Sequence, residues 1–219
     1  MTIKILIADD FDAVREGIKS FLDNIPNMEV IGQAKDGRIA VQLAHELKPD
    51  VIIMNIEMPC LNGIDATCQI VQELPDIKVV AFSSHLESHY VHKMIKAGAL
   101  AYVSKYSSIQ ELITAINSVV LNQAYFSPNI TSVVIKGFVN HSPDNISSYS
   151  LLTIKERQVL QLIAEGKTTK KIALLLNIGT KAVEWRRGKI MQKLNTHNIA
   201  ELIKYAIREG IIESVHLTV

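Results

Sequence analysis

Five short apolar runs, each followed by a stretch of helical period, leave this chain few folds to choose from. The runs lie at residues 3–8, 28–34, 51–54, 78–82 and 101–104. Between and after them, apolar positions recur at helical spacing. From Asp12, able to cap, they are Val14, Ile18, Phe21, Leu22 and Ile25; after the cap residue Asp36 they are Ile39, Leu43, Ala44 and Leu47. Further helical stretches cover 64–74, 89–97 (closed by Gly98) and 108–121. Parallel strands need a crossover between them, so this alternation predicts an α/β fold: a doubly wound, five-stranded parallel sheet with helices on both faces. Its central strand is Val51-Ile52-Ile53-Met54, apolar throughout as suits a strand covered on both sides. It stops at Asn55 and opens into the loop Ile56-Glu57-Met58-Pro59, with a turn at Cys60-Leu61-Asn62-Gly63.

Open α/β sheets bind ligands at the carboxyl ends of their strands. The unusual polar residues of this half fall there: Asp9, Asp10, Asn55, Ser83 and Lys105. Two adjacent carboxylates with a further oxygen nearby suit a hard divalent cation such as magnesium. A hydroxyl and an ammonium beside them suit a phosphoryl group.

Residues 122–150 change character, with Pro128, Pro143, several serines and no sustained period. Ser127-Pro128, followed by Ile130, Val133, Val134 and Phe138, can open a short helix with Ser127 as cap, and 140–150 reads as linker. Helical period returns at 153–164, 168–176, 180–194 and 198–208. The second and third of these helices are joined by Asn177-Ile178-Gly179, with Ala173, Val183 and Ile190 facing inward, the pattern of a helix-turn-helix. The expected domains are therefore 1–122, a connecting segment 123–150, and a smaller all-α four-helix domain at 151–213. Charge divides the same way. The formal charge of +1 conceals −5 through residue 122 and +6 from 123 onward, so the second half is the one that meets a polyanion. Between 153 and 195 there are 10 basic and 3 acidic residues, which gives salt-dependent attraction to phosphates.

Both halves resemble known families. The Asp9-Asp10 pair, the run VIIMNIEMP with Cys-Leu-Asn-Gly after it, Ser83, Tyr102 and Lys105 resemble the flavodoxin-like receiver domain of two-component response regulators. The segment LLTIKERQVLQLIAEGKTTKKIALLLNIGTKAVEWRRGKIMQKL resembles a LuxR-type DNA-binding domain, and the two in this order resemble the NarL/FixJ group. The resemblance implies magnesium held by Asp9, Asp10 and the Glu57 carbonyl, a switch pair Ser83 and Tyr102, and Lys105 on the phosphoryl group. It implies base reading by Glu184, Trp185 and Gly188 of double-stranded DNA. Lys170, Lys181, Arg187, Lys189 and Lys193 would hold phosphates, and Thr180 and Arg186 belong to the same face. It also implies a homodimer when active, through Ile199, Ile203, Ala206 and Ile207 of the last helix, and a histidine kinase or other protein partner.

One residue departs from that pattern. The family's phosphoacceptor is an aspartate, and this chain has Asn55, a poor nucleophile. The acid cluster then loses one negative charge, so magnesium should be held more weakly. Asn55 is either a natural atypical receiver's residue or a substitution that locks the protein unphosphorylated. The expected function is a transcriptional regulator that is not an enzyme. A module that sequesters a kinase or partner regulator, with residual DNA binding, is the alternative; a magnesium phosphohydrolase would need a carboxylate nucleophile that the sequence lacks. No apolar stretch approaches the roughly 20 residues of a membrane span, and the start lacks a signal-peptide core, so a cytoplasmic location is expected. Cys60 and Cys68 match no metal spacing and read as free thiols. His85, His89 and His92 read as surface residues of the switch region.

Overall fold

The computed structural model of the protein describes residues 2–140 and 151–212, in two compact units that divide the chain after residue 141. The first unit begins β1 (Ile3–Ala8), α1 (Asp12–Leu22), β2 (Met28–Ala34), α2 (Gly37–Leu47), β3 (Val51–Met54) and α3 (Gly63–Glu73). It continues β4 (Lys78–Ser83), α4 (Ser88–Lys96), β5 (Ala101–Ser104), α5 (Ile109–Val120), β6 (Tyr125–Phe126) and α6 (Pro128–Asn140). All strand pairs are parallel, in the order β2-β1-β3-β4-β5-β6.

Ile5, Ile7, Val51, Ile53, Val80, Phe82 and Val103 point to one face and pack with Ile18 and Leu22 of α1 and Leu112 and Ile116 of α5. Leu6, Ile52 and Val79 alternate with them and are also fully buried, so the sheet is covered on both sides. The chain runs outward from β1 to β2 and then returns past β1 to β3. That reversal opens a crevice at the carboxyl ends of β1 and β3, where Asp9 and Asn55 follow directly.

Two expectations change. The sheet has six strands where the sequence predicted five. Two residues are too few to show an alternating period, and Tyr125–Phe126 is fixed by its neighbour: Tyr125 pairs with Ala101 and Phe126 with Tyr102. The first unit also takes in 123–140, read from sequence as part of a connecting segment, because α6 packs on α4 and β5. The Ser127 main-chain N–H donates to the Tyr102 carbonyl at 3.1 Å, which ties the start of α6 to β5. The rest of the expected linker, 141–150, lies outside the described residues. A smaller difference concerns α1: Asp12 is its first residue rather than its cap, and its carboxylate pairs with Arg15.

The second unit is helical: α7 (Ile154–Ala164), α8 (Thr169–Leu176), α9 (Thr180–Leu194) and α10 (Ile199–Arg208). Thr153 and Glu156 form a reciprocal capping box at the start of α7. Thr168 caps α8 through Lys171 N–H, and Asn177, in the left-handed region at φ 52°, ends it. The chain therefore turns within three residues, and Gly179 is the N-cap of α9. Val159, Leu160, Ile172, Val183, Ile190 and Leu202 make the core of this unit.

Candidate functional site

The crevice beyond β1 and β3 collects the expected residues of the first unit. Asp9 is nearly inaccessible; its Oδ2 lies 2.6 Å from Lys105 Nζ and its Oδ1 accepts the Phe11 N–H at 3.0 Å. Asn55, also buried, donates through Nδ2 to Asp10 Oδ1 at 3.0 Å and to the Glu57 carbonyl at 2.8 Å, while its Oδ1 accepts the Ile56 N–H. Burial pushes the Asp10 carboxyl above its ordinary value, and the Asp9 charge adds to the rise against bonds that lower it. Close loop packing fixes the cradle: a Cβ on Gly63 would stand 1.9 Å from the Asn55 carbonyl oxygen, so only glycine fits there.

Ser83 and Tyr102 meet around the backbone of one residue, His85. Ser83 Oγ accepts the His85 N–H at 3.1 Å, and the Tyr102 hydroxyl donates to the His85 carbonyl at 2.5 Å. Both side chains are fully buried, and burial raises the Tyr102 phenol above its ordinary value. The His85 ring is not the surface group expected from sequence. Its Nε2 lies 3.1 Å from a Glu57 carboxylate oxygen, and Tyr90 donates to the other at 3.2 Å. Glu57 thus faces two ways, its carbonyl into the acid cluster and its carboxylate toward the loop that Ser83 and Tyr102 hold. Lys105 completes the link, its main-chain N–H donating to the Ser83 carbonyl at 2.9 Å. Tyr90 and Arg15, which donates to the Asp9 carbonyl at 2.6 Å, escaped the sequence reading, which places His85 in the switch region but on its surface. His85 stands only two residues beyond Ser83, a spacing that could have assigned it to the inner side of that region. Among the described residues no cluster of three or more His, Cys, Asp or Glu side chains could hold a metal ion, and Cys60 and Cys68 form no disulfide.

The second constellation lies on α9. Thr180, Lys181, Glu184, Trp185, Gly188, Lys189 and Lys193 are exposed, as is Lys170 of α8; Arg186 and Arg187 are half-buried. Lys189 Nζ stands 5.9 Å from the Trp185 ring centre, and Trp185 itself is 63% exposed, so the indole is not core packing. The basic face stands out because its opposite side, Val183 and Ile190, fills the core. Lys193 differs from the rest. It pairs with Glu156 at 2.7 Å and so binds the far end of α9 to the capping box of α7. Burial pushes the Glu156 carboxyl up, but the bonds from Lys193 and Thr153 outweigh it and hold the group below its ordinary value. A bond across 37 residues left no trace in the local pattern. On α10, Ile199 is exposed and Ile203 and Ile207 are half-buried, but Ala206 is fully buried in the unit's core. Ala206 therefore does not share the outward stripe expected of it. Ile199 and Ile203 line a hollow of about 420 Å³ with Glu184 and Arg187.

Known proteins divide along the same lines. Residues 5–117 match the response regulator receiver domain, and residues 150–206 match the luxR family of bacterial regulatory proteins. The chain is 37% identical over 210 residues to the transcriptional regulatory protein LiaR of Bacillus subtilis, covering 96% of this chain and 99% of LiaR. It is 34% identical over 213 residues to the response regulator protein VraR of Staphylococcus aureus, covering 97% and 100%. Among solved structures, a LuxR-family two-component response regulator from Aurantimonas sp. SI85-9A1 aligns with TM-score 0.61 at 31% identity, over 64% of this chain and all of the other. The response regulator RcsB in its complex with DNA aligns with TM-score 0.60 over 94% of this chain and 98% of its own, a likeness of fold at 22% identity. No helix of the described residues is long and apolar enough to cross a membrane.

Proposed function

The chain belongs to the response regulators that join a receiver domain to a LuxR-type DNA-binding domain, and it is a DNA-binding transcriptional regulator of the LiaR and VraR type rather than an enzyme; from that premise we propose that its receiver has no phosphoacceptor and that α9 reads operator DNA. The observation that carries the first part is the position of Asn55. It follows β3 directly and bonds Asp10, at the edge of the sheet where Asp9 and Lys105 also pair and where a receiver needs a carboxylate. A neutral amide oxygen, turned toward the Ile56 N–H, lacks the negative charge that makes a carboxylate able to attack a phosphoryl donor.

Exposure supports the second part. Lys170, Lys181, Arg186, Arg187 and Lys189 make no ion pair among the described residues, so their charge is available to phosphates. Thr180, Glu184, Trp185 and Gly188 lie between them, able to approach base edges in a major groove. Lys193, held by Glu156, positions α9 and contributes less to binding. The outward stripe of Ile199, Ile203 and Ile207 supports a two-fold dimer, which pairs with two half-sites.

Fluorescence anisotropy on a selected operator tests both parts. The parent and Asn55→Asp are titrated with and without acetyl phosphate and magnesium. The expected outcome is that only Asn55→Asp tightens when the donor is added. A parent that tightens equally would place the acceptor on another residue.

A further inference from the structure

Four of the oxygens that a receiver offers to a divalent cation, both of Asp9, Oδ1 of Asp10 and the Glu57 carbonyl, are here already bonded to protons of the chain itself. Asp9 carries the Lys105 ammonium at 2.6 Å and the Phe11 N–H at 3.0 Å. Asp10 Oδ1 and the Glu57 carbonyl carry the two N–H bonds of the Asn55 amide, at 3.0 and 2.8 Å. The network fixes the amide's orientation. Turned over, its oxygen would face the carboxylate of Asp10 and the carbonyl of Glu57, and its N–H₂ would face the Ile56 N–H. Asn55 is 6% exposed, so water could not relieve those mismatches.

As arranged, these residues do not fit magnesium. The ion requires near-ideal octahedral oxygen ligation and sheds its waters reluctantly. To bridge Asp10 Oδ1 and the Glu57 carbonyl it would have to displace the N–H₂ group that bonds both, and recruiting the Asn55 oxygen would forfeit the Ile56 bond. We propose that the Asn55 amide is a built-in substitute for the cation. It braces the end of β1, at Asp10, to the loop after β3, at Glu57, so the cleft is assembled without metal and does not respond to magnesium. Glu57 extends the brace, because its carboxylate bonds Tyr90 and faces His85, whose backbone Ser83 and Tyr102 hold. The proposal rests on reading Asp9, Asp10 and the Glu57 carbonyl as the receiver's cation donors.

The test is thermal unfolding of the full chain across a magnesium titration at constant ionic strength, with EDTA as the zero point. The parent's receiver transition is expected to stay within about 0.5 °C throughout, while Asn55→Asp starts lower and rises saturably by about 3 °C, the scale of a bound cation in excess over its dissociation constant. Asn55→Ala, which leaves Asp10 and the Glu57 carbonyl without the amide, is expected to melt below the parent in EDTA. A parent that gains from magnesium as Asn55→Asp does overturns the proposal alone, as does an Asn55→Ala that melts with the parent. An Asn55→Asp that ignores magnesium also overturns it, and removes the reading of the cluster as a receiver cation site.

Discussion

The cleft at the end of β3 and the face of α9 both gather polar and charged residues, yet they satisfy them in opposite ways. In the cleft each group has a partner inside the chain: Asp9 with Lys105, Asp10 and the Glu57 carbonyl with Asn55, Ser83 and Tyr102 with the His85 backbone. On α9 most charges have none among the described residues, and the exposed Trp185 has only a nearby lysine. Burial explains the contrast, since an unpaired polar group costs little in water and much in the interior. A closed polar network keeps a state, whereas an open charged face waits for a ligand. One exchanged atom group, the amide at residue 55, therefore alters the whole cleft, while single changes on α9 should act one at a time.

The sharpest way to break this comparison uses a glycine from the closed region. Gly63→Ala drives a Cβ to 1.9 Å from the Asn55 carbonyl, and backbone cannot yield as a flexible side chain does. We expect a loss of about 3 kcal/mol or more, read as a fall of about 10 °C in the receiver transition. An unchanged melting temperature would mean that the cleft is adaptable and not closed.

A change on the open face should spare stability and act on binding. Arg187→Ala is expected to weaken operator affinity about 10-fold and lower the salt slope by about one charge. Lys193→Ala should leave that slope nearly intact and lower the stability of the second unit. If Lys193→Ala reduces the slope as Arg187→Ala does, the lysine belongs to the DNA face and its bond to Glu156 is incidental.

Glu156 gives a smaller, pH-dependent effect. Its carboxyl is held below the ordinary value of 4.5, so it contributes stability above that value and loses it as the pH falls through the folded-state pKa. Glu156→Gln should therefore melt below the parent at neutral pH by about 1 kcal/mol, the difference between hydrogen bonds to a charged and to a neutral acceptor. In acid the two curves should converge. Parallel curves across the range would show that the charge of Glu156 contributes nothing.

The smallest effect pairs with the first. Gly188 also sits in an element of its site, but a Cβ there meets nothing within 4 Å. Gly188→Ala should raise stability by about 1 kcal/mol through helix propensity alone and weaken operator binding where the backbone approaches DNA. Tighter folding with undiminished binding would remove close approach as the reason for this glycine.

Much of this was legible in the chain. Hydrophobic period marked the strands and helices of both units, because the period of each element depends on neighbours within a few residues. Asp9, Asp10, Asn55, Ser83 and Lys105 could be assembled at one end because a parallel sheet brings every strand's carboxyl end to the same edge. Less was legible where burial decides. Ala206 shares a helical stripe with Ile203 by spacing, yet it is fully buried, since a small side chain at the edge of a stripe fits either side. Tyr125–Phe126 becomes a strand only because β5 offers an unpaired edge.

By itself, then, the sequence determined the order of elements, the two-part division of charge and the chemical identity of each group, above all an amide where an acid is expected. Only the tertiary structure decided how those groups satisfy one another. The Asn55 amide meets Asp10 across 45 residues, and Lys193 leaves the basic face to meet Glu156 across 37. Such bonds depend on where loops and helix axes bring atoms to within about 3 Å, a tolerance far finer than any pattern of apolar and polar residues encodes.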